Sequence, residues 1–123
     1  LGTMQVPRPS DDDKLFFRSL IDEDDRVRVK PMFGNLGAFV DGAMFAGLFG
    51  SAVGLRLDDA GRAEVLALEG SGPFGPAERP MGGYVSVPPA WRDEPALARE
   101  WVDRARAYVE TLPPKQPKGR ARR

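Results

Sequence analysis

The chain has 123 residues, 41% of them apolar and 29% charged, which is the range of one ordinary globular domain. Lys and Arg together number 18, as do Asp and Glu, so the formal net charge is zero. Cysteine and histidine are both absent, which excludes disulfides, thiolate metal sites, Cys nucleophiles, imidazole bases and any Ser-His-Asp triad.

The charge is unevenly distributed. Residues 1–112 hold 13 Lys/Arg against 18 Asp/Glu, a net of −5, whereas 113–123 hold five basic residues and no acid. No run of 18 apolar residues predicts a membrane span, and no secretory pattern opens the sequence, so the expected location is the cytoplasm. Leu1-Gly2-Thr3 ahead of Met4 is read as a vector remnant. Residues 1–9 are expected to be loose, 10–114 to form one domain, and 115–123 to be a disordered basic tail.

Ser10-Asp11-Asp12-Asp13 resembles a capping box and starts a helix. Phe16, Phe17, Leu20 and Ile21 give that helix one apolar face, and it stops in residues 22–25. Arg26-Val27-Arg28-Val29-Lys30 alternates as a strand with valines inward and cations outward. Such a cation row meets an acidic partner or nucleic acid, or simply keeps an edge strand from pairing; edge logic favours the second reading. Pro31 is expected to end the ladder, and 34–37 to be a tight turn or bulge.

Asp41-Gly42 between the apolar runs 36–40 and 43–49 is the strongest hairpin signal. Gly50-Ser51 turns into a strand over 53–57, so the meander is antiparallel. Met44, Phe45, Leu48 and Phe49 are all assigned to the core. Asp58 caps a second helix through Leu68, ended by Gly70. Two further strands are predicted at 74–79 and 84–87. A last helix, capped by Asp93 with Pro95 in its first turn, carries Leu97, Trp101, Ala105, Tyr108 and Leu112 as a stripe. Trp101 is expected to be buried and Trp91, in the preceding loop, only partly covered.

Three segments then carry a resemblance: Lys30-Pro31-Met32-Phe33-Gly34, the hairpin from Phe39 to Ala46, and Arg79-Pro80-Met81-Gly82-Gly83-Tyr84-Val85-Ser86-Val87. With Trp101-Val102 and Thr111-Leu112-Pro113-Pro114-Lys115 added, the chain resembles the N-terminal domain of the TfoX/Sxy family, named after a regulator of natural competence in bacteria. The resemblance implies an α+β fold of the secretion-chaperone type: helix, three or more strands, helix, two strands, helix, with five to six short antiparallel strands in all. Full-length regulators of the family carry a second, helical domain, which this sequence is not expected to form after its one domain and basic tail. No catalytic residue carries over from the family.

The expected function is a non-enzymatic regulatory or protein-interaction module, with no cofactor and no metal. Its expected interaction surface is Met32, Phe33, Arg79, Met81 and Tyr84, beside glycine turns, with an unnamed protein partner. Exposed Met and Phe there also lead to an expected weak homodimer. A second reading is non-specific nucleic-acid contact through Lys115, Lys118, Arg120, Arg122 and Arg123. A third is an enzyme with a carboxylate, Arg and Tyr site at Glu78, Arg79 and Tyr84.

Overall fold

The structure is a computed structural model that describes residues 7–113. Helix α1 (Asp11–Ser19) opens it. Its capping box is formed as read: Ser10 Oγ accepts from the Asp13 amide at 3.0 Å, and Asp13 Oδ2 accepts from the Ser10 amide at 2.8 Å. Four strands follow, β1 (Val27–Met32), β2 (Asn35–Val40), β3 (Ala43–Phe49) and β4 (Ala52–Arg56). Then come α2 (Asp59–Leu66), β5 (Gly72–Pro73), β6 (Tyr84–Ser86), a 3₁₀ turn (Pro89–Asp93) and α3 (Pro95–Glu110). The result is α+β: three α-helices and one antiparallel sheet in the order β1-β2-β3-β4-β6-β5. Four strands precede α2 and two follow it, within the three or more, then two, that the resemblance implies.

Two hairpins share one turn chemistry. Asp41 and Gly42 have φ of 51° and 85°, and Phe33 and Gly34 have φ of 52° and 81°. Both central residues at positive φ define the type I′ turn, whose twist matches the flanking strands. Phe33-Gly34, not 34–37, is therefore the first reversal, and Asn35 already lies in β2. The bulge sits instead on β3. Ala38 pairs with Ala46 while Phe39 pairs with Met44, so Phe45 is the extra residue.

Pro31 does not end β1. The register points the main-chain nitrogens of Val27, Val29 and Pro31 away from β2, so proline removes a donor the ladder never uses. The other two outward donors are taken: Val27 N–H by Asp24 Oδ1 at 2.9 Å and Val29 N–H by Glu23 Oε1 at 2.9 Å. The loop before β1 thus seals that edge. Arg26, read as part of a free cation row, is instead committed to Asp41 at 2.5 Å and Glu110 at 3.3 Å.

One sheet face carries the core. Phe17, Val27, Val40, Phe45, Leu48, Leu55, Val65 and Val85 have essentially no exposed surface, and α3 packs mainly across β3 and β4. Trp101 is buried in this layer as read, but Trp91 is buried as well. The 3₁₀ turn holds Trp91 inward, 6.1 Å from Trp101, and Arg92 beside it reaches Asp13 at 2.5 Å, tying the turn to α1. Asp93 is not the cap of α3; Glu94 occupies that position and makes no side-chain cap bond. Helix α2 ends at Leu66, leaving Leu66 and Leu68 exposed.

Candidate functional site

Among the described residues no helix packs over the middle of the opposite sheet face, and only the end of α3, at Glu110, reaches its rim. In its middle the register aligns Gly37, Gly47 and Gly54 across β2, β3 and β4. These three glycines make a lane without side chains, and larger groups lie in it. A Cβ on Gly37 would meet Phe39 at 2.9 Å and Met44 at 3.0 Å; one on Gly54 would meet the Phe74 ring at 2.3 Å. Phe74 was read as the start of a strand. Only Gly72–Pro73 pairs with β6, and the chain then folds Phe74 back onto the lane, where it is buried.

Around Phe74 the aromatic groups interlock. Phe49 meets it edge-on with centroids 6.2 Å apart, and Tyr84 lies 6.0 Å away. The Tyr84 hydroxyl crosses to β3 and donates to the Met44 carbonyl at 2.9 Å, beside the Phe45 bulge. Burial pushes the Tyr84 phenol above its ordinary pKa, and the adjacent Arg56 guanidinium pulls it part of the way back. Met44 and Phe49, assigned to the core by sequence, belong to this face; Phe45 and Leu48 belong to the helix-covered one.

What remains uncovered is a groove of about 1060 Å³. It reaches from Phe33 at one hairpin tip to Asp41-Gly42 at the other, and its lining includes Met32, Phe39, Met44, Phe49, Met81 and Tyr84, with Val109 and Leu112 at the far end. Asn35 at its floor is buried but satisfied. Its Nδ2 donates to the Pro7 carbonyl at 3.1 Å, and its Oδ1 accepts from the Gly50 amide at 2.8 Å. Asp41 and Glu110 line the far end and are tied to Arg26. Arg56 is half-buried in the wall.

Of the residues singled out by sequence, Met32, Phe33, Met81 and Tyr84 meet in this groove. Arg79 is exposed in the loop before β6 and does not line it. Glu78 is likewise exposed and makes no ion pair with Arg79. Lys115, Lys118, Arg120, Arg122 and Arg123 lie outside the described residues. Arg56, Phe39 and Phe74 were not singled out. For Phe39 and Arg56 the signal was the alternation of β2 and β4, where the residues opposite the core valines and leucines belong to the other face; Phe74 lies beyond β5 and had no such pattern.

Among the described residues no group of three or more Asp or Glu side chains is placed to hold a metal ion, and no helix is long and apolar enough to cross a membrane. No curated protein matches the chain. The family model of the TfoX N-terminal domain matches residues 19–108, which span the described elements from the end of α1 to the last turn of α3. The chain therefore belongs to the TfoX N-terminal domain family.

Proposed function

We propose that the protein is a non-enzymatic regulatory module that docks a segment of a partner protein in the groove on the open sheet face. The observation that carries this reading is Phe33. It is 88% exposed and holds φ of 52° in a tight turn, where Asn or Gly would sit without strain. A bulky aromatic kept exposed at a strained position points to use rather than folding. The groove beside it supports the same role. Methionines repack around different side chains, and aromatic groups and Met are enriched at interfaces. Membership in a family named for a competence regulator agrees with a regulatory task.

The test is selection of random peptides on the immobilised protein, counter-selected against a Phe33→Asp, Met81→Asp variant. Recovery of peptides that bind the parent and lose the variant is the expected result. If no peptide distinguishes the two folded proteins, the docking role is wrong.

A further inference from the structure

Arg56 gives the groove a chemical preference. Four other arginines are half-buried in the described structure: Arg62, Arg92, Arg99 and Arg106. Each has a carboxylate partner, respectively Asp59, Asp13, Asp22, and both Asp24 and Glu110. Arg56 is the exception. No Asp or Glu oxygen among the described residues comes within 4.0 Å of its nitrogens, although the body of the chain carries an excess of acids. A half-buried guanidinium that no carboxylate pairs has donors open to one, because its planar fork matches carboxylate geometry bidentately.

Its setting restricts what the missing partner is. Arg56 pairs in register with Tyr84, whose hydroxyl donates to the Met44 carbonyl while its oxygen faces the Arg56 guanidinium; neither supplies a negative charge. Away from the tied Asp41 and Glu110, the surrounding wall is Met44, Phe74, Met81 and Tyr84, which is apolar. A ligand contacting both must be apolar along its length and anionic at one point. The open face spans about six strand residues between the two hairpin tips, roughly 20 Å, which is the reach of an extended peptide of about six residues.

We propose that the partner segment is a short apolar peptide carrying one Asp or Glu, with its apolar side chains between Phe33 and Met81 and its carboxylate on Arg56. This assignment rests on the docking role above. It also distinguishes the face from the β1 edge, whose outward donors are already filled by Glu23 and Asp24 or removed by Pro31.

The test uses the peptides selected on the parent protein and titrated by fluorescence anisotropy. Acidic residues should be enriched in them beside apolar ones. Changing the peptide's Glu to Gln should weaken binding by about ten- to a hundredfold, and so should Arg56→Gln in the protein, as loss of a charge-assisted hydrogen bond does. The two changes together should cost little more than either alone, and Arg56→Lys should recover part of the affinity. Thermal unfolding of both Arg56 variants checks that they fold. Groove-dependent peptides without an acidic preference, or fully additive losses in the cycle, would overturn the Arg56 assignment and leave the docking role standing. No groove-dependent peptide at all would sink the docking role itself. A light-scattering mass that climbs toward two chains with concentration, and does not climb in Phe33→Asp, would put a second copy in the groove and overturn the peptide assignment.

Discussion

The Phe74 ring lies on the backbone of Gly54, so close that a Cβ at Gly54 would stand 2.3 Å from ring carbons. No rotation of a flexible tip relieves that contact, because the near atoms are the root of the ring. Gly54→Ala should therefore destabilise the domain by about 1–3 kcal/mol, the range for overpacked cores. Gly47→Ala meets the same ring at 3.1 Å and should cost less. Urea unfolding of the two variants gives the ranking; equal losses, or none at Gly54, would mean that Phe74 does not lie in the glycine lane.

Phe33 should trade stability for binding. Replacing it with Asn removes an exposed aromatic from a left-handed position that Asn tolerates, and should raise stability by roughly 1 kcal/mol. The same change should abolish peptide capture. Gly42→Val is the mirror case: nothing lies within 4 Å of a Cβ there, so its whole cost is backbone strain at φ of 85°. That loss should be about 1–2 kcal/mol. Thermal melts decide both signs, and a destabilised Phe33→Asn would mean that the ring serves the fold.

The sealed edge can be opened. Glu23→Ala frees the Val29 amide, and Pro31→Val adds an outward donor next to it. The double variant should self-associate through β1, which then presents unmet donors at positions 29 and 31 while Asp24 still holds the Val27 amide. Light scattering at matched concentration should show a mass above the parent's. An unchanged mass would mean that Glu23 and Pro31 are not what guards the edge.

Acid should weaken the charge network at the hairpin tip. Asp24 is held below the ordinary carboxylate range first by the Arg26 amide and further by the Val27 amide, and Asp41 by the Arg26 guanidinium. A carboxylate depressed in the folded state stabilises above its unfolded pKa, and that support is lost as pH falls through the folded value. The melting temperature should therefore drop on acidification below about pH 4. Asp24→Asn with Asp41→Asn should flatten that drop, since Asn still accepts hydrogen bonds but does not titrate. An unchanged acid slope in the double variant would remove these two groups from the account.

Local signals with one meaning were readable from sequence. Asp41-Gly42 has one favoured turn, Ser10 to Asp13 one capping geometry, and the stripe from Leu97 to Tyr108 one helical face. Features set by register were not. Whether Pro31 can stay in a strand depends on which way its nitrogen points, and that follows from the pairing of β1 with β2. Gly37, Gly47 and Gly54 are separated by ten and seven residues, and only the sheet lines them up. The groove was half visible for the same reason. Met32, Phe33, Met81 and Tyr84 stand beside glycine turns that mark them, whereas Phe39, Phe74 and Arg56 acquire their place from strands distant in sequence. Phe33-Gly34 was missed as a hairpin because an aromatic at positive φ is a poor turn former.

The docking role is tested most directly by amide chemical shifts of the labelled protein during titration with a selected acidic, apolar peptide. Shifts should concentrate at Phe33, Phe39, Met81, Tyr84 and Arg56 and spare α1 and all of α3 but its last turn, which borders the groove at Glu110. Perturbations centred on the helical layer, or spread without reference to the open face, would contradict it.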